Sequence, residues 1–363
     1  MPKRWKIARR VLSGLVVLVV VTSAAGMAYR SYRQNQVAEL MRIDSPKGID
    51  EGRFIEVHGR PQWISIRGHD RDNPVVLFLH GGPGGANAPT ADFLLPLERQ
   101  FTIVDWDQPG AGRTFGAAGG IIEASLTIEG IAQDGVEVAK FAREHLHRSK
   151  VVLLGMSWGT LLGVYMAKAQ PDLFYAYVGT GQLVDTQQNE ARAYVQVLAK
   201  ARARRDAPAI KELEAIGPPP YRNARAFRMQ RTWAAKYETG SPDIRAIIDR
   251  AFIARDYTLR DSVNFVRGFI ASGNHFMGAK MDGPLMSHDL RNLGTEFSIP
   301  MFVIQGADDD ITPAGLAQAY LAEVHAPQVR FVVIRDAGHD VLWTHTNEFL
   351  EEMRALMAPL NLQ

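Results

Sequence analysis

Six short apolar runs with little alternation punctuate this chain: Val75 to Leu79, Phe101 to Val104, Val151 to Leu154, Ala176 to Gly179, Met301 to Ile304 and Phe331 to Ile334. Continuous apolar runs of this length predict strands buried on both faces of a mostly parallel sheet. Upstream, Phe54 to Val57 and Trp63 to Ile66 alternate between glycine-containing turns, which predicts two further strands. Helical stretches separate the runs, among them Ile128 to Leu146, Leu161 to Ala169, Ala314 to Val324 and Thr346 to Met357. Strand alternating with helix predicts an α/β fold.

The pattern breaks between about Leu183 and Ser298. That region is rich in Arg, Ala and Gln, has helical periodicity, and contains the breaker Pro218-Pro219-Pro220. Core strands resume after Ile299-Pro300, so it reads as a helical insertion, a cap, rather than an independent second domain. The expected organisation is an N-terminal segment 1–28, a polar tether 29–52, a first core part 53–182, the cap 183–298 and a second core part 299–363.

The N-terminal segment carries Lys3, Arg4, Lys6, Arg9 and Arg10 before an uncharged apolar stretch from Val11 to Ala28. Its length sits at the lower end of the roughly 17–25 residues that span a bilayer as a helix. It also reads as a signal peptide, with a core Val11 to Val21 and the small-residue end Gly26-Met27-Ala28. The cations before it outweigh Arg30 and Arg33 after it, so the N-terminus is expected to stay inside and the body to be exported. A retained membrane anchor is favoured over a cleaved signal, which would leave a secreted or periplasmic protein.

Composition narrows the chemistry. The chain of 363 residues is 46% hydrophobic and 22% charged, with a net charge of +2 and no cysteine. Nothing global points to nucleic acid or another polyanionic partner. Disulfides, thiolate metal sites and a cysteine nucleophile are excluded together.

The most informative motif is Gly155-Met156-Ser157-Trp158-Gly159-Thr160, which follows an apolar strand and passes directly into a helix. That is the context of a nucleophile elbow. Ser157 must then sit on a strained turn, and side chains at 155 and 159 would crowd the neighbouring strand and helix. The bland alternative is a glycine-lined turn with an ordinary serine. A serine hydroxyl needs a positioned base, and after such an elbow the acid and then the histidine follow in chain order. Gly306-Ala307-Asp308-Asp309-Asp310-Ile311-Thr312-Pro313 follows one core strand, and Gly338-His339 follows the next. The register Gly-x-x-Asp-x-x-x-Pro selects Asp309, leaving Asp308 and Asp310 for solvent or a helix cap. A calcium-binding loop is the competing reading of the three aspartates, without the later carboxylates of an EF-hand register. His339 has a loop setting, whereas the rival His345 lies in a helix-like stretch; His275, His288 and His325 read as structural or surface residues.

Oxyanion stabilisation needs backbone N–H groups. The residue after the nucleophile, Trp158, is one candidate. The loop His80-Gly81-Gly82-Pro83-Gly84-Gly85 offers another, Gly82, because Pro83 has no N–H. A phosphate-cradling loop is the alternative, but the Gly-Lys-Ser/Thr ending is missing.

His80-Gly81-Gly82-Pro83-Gly84, Asp107-Gln108-Pro109-Gly110-Ala111-Gly112-Arg113-Thr114 and the Ser157 motif together resemble the proline iminopeptidase branch of the α/β-hydrolases. The resemblance covers roughly Val75 to Gly181 well, Pro300 to the C-terminus moderately and the cap poorly. It implies an α/β-hydrolase fold with an inserted helical cap, and Asp107 to Thr114 as scaffold tied down by Arg113. It speaks against epoxide-hydrolase or dehalogenase chemistry, which puts Asp at the elbow. It also implies acidic cap residues that hold a substrate ammonium. Trp233-Ala234-Ala235-Lys236-Tyr237-Glu238 faintly resembles the family's Trp-x-x-Trp-Glu, off by one, and nominates Glu238 for that role against a solvated helix glutamate. Gly273-Asn274-His275 has glycine where the family's second acid belongs. Cap cations Arg202, Arg204, Arg205, Arg222, Arg225, Arg228 and Arg231 make a poor ammonium site; they read as a solvated face or a contact with anionic lipid.

The expected function is therefore hydrolysis of an amide or ester through an acyl-Ser157 intermediate, with a small-molecule or short-peptide substrate and neither cofactor nor metal. A carboxylesterase or lactonase on the same triad competes with an aminopeptidase. A non-catalytic binding protein on a hydrolase scaffold is the remaining alternative.

Overall fold

A computed structural model describes residues 3–238, 240, 242, 244–360 and 362. Eight strands form one sheet: β1 (Ile49–Val57), β2 (Arg60–Gly68), β3 (Val75–Leu79), β4 (Thr102–Trp106), β5 (Val151–Met156), β6 (Phe174–Thr180), β7 (Met301–Gly306) and β8 (Val329–Ile334). Their order is β1-β2-β4-β3-β5-β6-β7-β8. The β1–β2 and β2–β4 pairs are antiparallel and all others parallel. Every apolar run predicted as a strand is one, within one or two residues at most ends.

The helices are α1 (Lys3–Leu40), α2 (Leu95–Glu98), α3 (Gly112–Ala117), α4 (Ile128–His145), α5 (Trp158–Ala169), α6 (Thr186–Ala203), α7 (Ala207–Ile216), α8 (Ala224–Tyr237), α9 (Ile244–Ile253), α10 (Leu259–Met277), α11 (Ala314–Glu323), α12 (Val341–Thr344) and α13 (Thr346–Met357). They explain why the central strands lack alternation. Side chains alternate faces along a strand, so Val151 and Leu153 of β5 enter a core shared with α4 and α5, while Val152 and Leu154 enter one shared with α13. Both faces are dry, so both sets are apolar. Each fully buried side chain of this kind contributes about 1.5–3 kcal/mol.

Helices α6 to α10 lie between β6 and β7 in the chain, where the helical insertion is expected. They are built from ordinary helix signals. Asn223 accepts the N–H groups of Arg225 and Ala226 at the start of α8, and Thr258 and Asp261 form a capping box on α10. The segment packs over the C-terminal edge of the sheet: Gly84 abuts Ser272 and Gly268 of α10, and Phe276 lies 4.7 Å from the Trp158 ring.

The N-terminus differs from its expected form. Residues 29–40 are not a loose tether but the continuation of α1, and the chain passes to β1 by a short connection. No glycine or proline lies between Ala28 and Leu40 to stop the helix. Polar Arg30, Arg33 and Gln34 fall on one face with Val37 and are partly buried against the body. Arg30 donates to the Tyr257 carbonyl, and Gln34 to the carbonyls of Ala254 and Tyr257. The part of α1 from Arg9 onward contains an apolar window that by length and composition could cross a membrane, and that window is unburied. Of the cationic cluster, the side chains of Lys3, Arg4 and Lys6 lie outside the described residues.

Candidate active site

Strand β5 ends at Met156 and α5 begins at Trp158, leaving Ser157 to make the turn at φ 53° and ψ −120°. An L-residue there is strained and must be held by its surroundings. Ser157 N–H donates to the Thr180 carbonyl at 2.9 Å, and the Ser157 carbonyl accepts the Thr160 N–H at 2.8 Å. A Cβ on Gly155 would meet the Gly159 carbonyl oxygen at 2.7 Å, and one on Gly159 would run into the Leu79 carbonyl. The elbow needs both glycines, for the reason the sequence suggested.

The loop after β3 closes one side. A Cβ on Gly81 would lie 3.3 Å from Ser157 Cβ and 4.0 Å from its Oγ. Gly82 has φ 135°, a region that favours glycine, and its N–H donates to no backbone carbonyl among the described residues. Trp158 N–H sits at the first helical position, where no intrahelical acceptor exists, and the Ser157 side chain does not cap it. Among the described residues the N–H groups of Gly82 and Trp158 thus have no backbone acceptor.

Gln108 organises this loop, a role the motif reading did not give it. Its side-chain amide donates to the His80 carbonyl at 3.2 Å and its carbonyl accepts Trp158 Nε1–H at 3.0 Å. His80 is buried, and desolvation holds its pKa down at about 4 despite its bond to Gly81. Its Nε2 accepts the Gln108 N–H at 3.3 Å, so both ring nitrogens are engaged within this loop. Arg113 behaves as predicted: its N–H donates to Asp107 at 2.7 Å, and its guanidinium lies 4.1 Å from the Trp63 ring centroid and pairs with Asp261.

The opposite side is built from the ends of β7 and β8. His339 Nδ1 approaches Asp309 Oδ2 at 3.1 Å, with both residues buried. Asp309 Oδ1 accepts the N–H groups of Ile311 and Thr312 at 2.9 and 2.7 Å, and Oδ2 accepts the Thr312 hydroxyl at 2.6 Å and the Gln305 amide at 3.2 Å. Burial alone would favour the neutral acid, but the His339 ring and these donors prevail and hold the carboxyl below its ordinary range. Burial likewise disfavours an imidazolium at His339; the Asp309 charge and hydrogen bond, then Asp340 and Glu238, outweigh it and raise the imidazole pKa. Thr312, three residues past the acid, was not singled out by the sequence, and neither was Gln305.

Ser157 and His339 meet through Gly181. A Cβ there would lie 2.7 Å from His339 Cε1 and 3.4 Å from Nε2, and Gly181 directly follows Thr180, the acceptor of the Ser157 N–H. The imidazole thus rests on the turn that anchors the serine. Among the described residues no direct Ser157–His339 hydrogen bond is present. Such contacts are often open without substrate and tighten when it binds.

Glu238 is at the C-terminal cap of α8, buried beside this pair. Its Oε1 accepts the Asp310 N–H at 2.8 Å and its Oε2 the His339 N–H at 2.9 Å. Burial, then the Asp309 charge, raise its pKa against the opposing pull of His339. The solvated-glutamate alternative is overturned. So is the expectation for Asp310, which faces neither solvent nor a helix terminus: it is buried and paired with Lys200 of α6 at 2.6 Å. Asp308 is exposed and Asp309 turns to His339, so the three aspartates diverge and form no calcium loop. His345 bonds the Thr344 hydroxyl between α12 and α13, and His275 bonds the Leu126 carbonyl. Among the cap cations, Arg231 pairs with Glu190 and Arg202 with Glu214.

Residues 74–346 match the sequence model of the alpha/beta hydrolase fold family. The chain belongs to that family. A probable aminopeptidase, YbaC, of Bacillus subtilis (strain 168) is 27% identical over 303 residues, covering 82% of this chain and 93% of its own. The solved proline iminopeptidase of Mycobacterium smegmatis superimposes with a TM-score of 0.61 at 17% identity, covering 86% of this chain and 99% of its own. A membrane phospholipase A described as a bacterial virulence factor gives 0.62 at 15% identity, covering 97% and 99%. At these identities the two structures bear on fold alone. The relatives carry hydrolytic names, and this hydrolase shares their fold over nearly their full length.

Proposed function

We propose that this hydrolase cleaves an ester or amide through an acyl-enzyme on Ser157. Ser157 Oγ attacks the substrate carbonyl carbon while His339 takes its proton, and the N–H groups of Gly82 and Trp158 hold the oxyanion. Collapse breaks the bond to the leaving group, which receives that proton from His339. Water, deprotonated by His339, then attacks the acyl carbon and releases the acid and free Ser157. Asp309 keeps Nδ1 protonated, so Nε2 is the basic nitrogen. The observation that carries this reading is the imidazole of His339, bonded to Asp309 on one side and seated on Gly181 beside Ser157 on the other. A fluorophosphonate probe is expected to label the wild type and not Ser157→Ala; labelling that persists in the variant overturns the reading.

For the substrate, an ester or an amide lacking a free terminal ammonium is the better fit. Both carboxylate oxygens of Glu238 accept backbone N–H groups, and position 273 carries no acid. The aminopeptidase reading draws on the names of the relatives. Parallel assays with proline β-naphthylamide and a short-chain p-nitrophenyl ester separate them: faster turnover of the ester supports the first, selectivity for the naphthylamide the second. We further read α1 as a membrane span that keeps the body at a lipid surface, supported by the exposed apolar stretch Val11 to Ala28.

A further inference from the structure

The end of α1 that leaves the apolar stretch is fastened to one particular place on the body. Ala28 is the last residue of that stretch, Arg30 bonds the Tyr257 carbonyl and Gln34 bonds those of Ala254 and Tyr257. At 1.5 Å per residue these contacts lie about 3–9 Å beyond the apolar boundary. The headgroup layer is roughly 5–8 Å deep on each side of a bilayer. The loop 254–257 therefore sits at headgroup depth whenever α1 spans.

That loop leads into α10, and the outward face of this helix is unlike an ordinary solvated one. Leu259, Val263 and Ile270 are exposed at helical spacing, with Arg260 and Arg267 between them. Among the described residues neither arginine forms an ion pair, although Arg267 lies over the Phe115 ring at 5.9 Å. Asp261 of the same helix pairs with Arg113, and Asp256 and Asp50 of the adjoining surface pair with Arg255. An open recess of about 300 Å³ lies between α10 and the Gly119-Gly120 turn, lined by Leu259, Arg260, Val263 and Arg267. Exposed apolar groups beside uncompensated cations suit a surface that is apolar below and anionic at its edge.

We propose that this α10 face rests on the bilayer beside the α1 span, with Leu259 and Val263 toward the acyl boundary and Arg260 and Arg267 on anionic headgroups. It depends on the reading of α1 as a span. The same helix carries Ser272, which abuts Gly84 of the loop beside Ser157. Thirteen residues separate Leu259 from Ser272, so lipid and glycine loop are no more than about 20 Å apart along α10.

The chain has no cysteine, so single labels are unambiguous. Full-length Val16→Cys, Val263→Cys and Val333→Cys would each carry an environment-sensitive fluorophore, in vesicles of phosphatidylglycerol with phosphatidylcholine containing nitroxide-labelled lipid. Val333 lies on β8, at the sheet edge opposite β1, and is exposed. The expected result is quenching at 16 and 263 and none at 333, with quenching at 263 falling at least about twofold in Arg260→Glu/Arg267→Glu or in pure phosphatidylcholine. Quenching at 16 with a water-like, unquenched signal at 263 overturns the proposal while leaving the span intact. A blue-shifted but unquenched signal at 263 means a second copy covers the face, and also overturns it. Loss of quenching at both 16 and 263 overturns the span and this face together.

Discussion

Glu238 accepts the backbone N–H of His339 at 2.9 Å, and with its other carboxylate oxygen it accepts the N–H of Asp310, next to the candidate acid. One side chain from the inserted helices thus ties the acid loop to the histidine loop. Gly338 leaves room for it, since a Cβ there would lie 2.6 Å from Glu238 Oε2. Glu238→Ala leaves two buried amides without these acceptors, at about 1–3 kcal/mol each. The expected outcome is kcat for an ester substrate reduced by roughly tenfold or more with KM little changed, in a protein that keeps its circular dichroism spectrum. An increase in KM at constant kcat would instead assign the side chain to substrate binding.

Gly181→Ala tests the approach of base to nucleophile. The added methyl would meet His339 Cε1 at 2.7 Å, on a residue at φ 59°. Displacing the ring by about 1 Å is expected to lower kcat/KM roughly a hundredfold. Normal turnover in this variant would show that the imidazole works from another position.

In the proposed mechanism the pH profile derives from the Asp309–His339 pair. His339 must be neutral to accept a proton, and its pKa is raised by Asp309 against burial. The acid limb of kcat/KM is therefore expected to have its midpoint above 6.5, with activity rising through it. In Asp309→Asn the strongest raising influences are gone and burial is opposed only by Asp340 and Glu238, so the midpoint moves down and the rate falls by about 10³–10⁴-fold. The pair contributes to stability in two opposite senses. The His339 part is present below its unfolded value of about 6.5 and fades as pH rises through the raised folded value, while the Asp309 part is lost in acid as pH falls through its lowered value; thermal melts would track both.

At the elbow, Gly159→Ala drives a methyl into the Leu79 and His80 carbonyls, neither of which can move without shifting β3. A loss near or above about 3 kcal/mol is expected, read as a drop in Tm or in soluble yield. Ser157→Ala changes no backbone contact and should melt within a few degrees of the wild type.

Much of this architecture was readable because it is written in side-chain type. Unalternating runs such as Val75 to Leu79 mark strands dry on both faces, and Gly155 and Gly159 mark a turn with no room for a Cβ. The positions of Ser157, Asp309 and His339 at strand ends follow from those runs. What escaped depended on backbone partners. Glu238 was nominated for an ammonium, yet it binds two main-chain N–H groups whose residues, 310 and 339, lie far away in sequence. Thr312 was visible only as an unspecified position between Asp309 and Pro313, although its hydroxyl donates to the acid at 2.6 Å. Residues 29–40 are as polar as a tether, but that polarity serves a helix face docked on carbonyls, and the run has no glycine or proline to break the helix.

The unbroken passage of α1 into the body has a mechanical consequence. A leash would let the enzyme tumble and sample every height above its support. A helix of 38 residues, about 57 Å long and bonded through Arg30 and Gln34 to the carbonyls of Ala254 and Tyr257, restricts both swivel and reach. On the reading of α1 as a span, the orientation of the Ser157 site relative to the bilayer is set by these bonds when the chain folds.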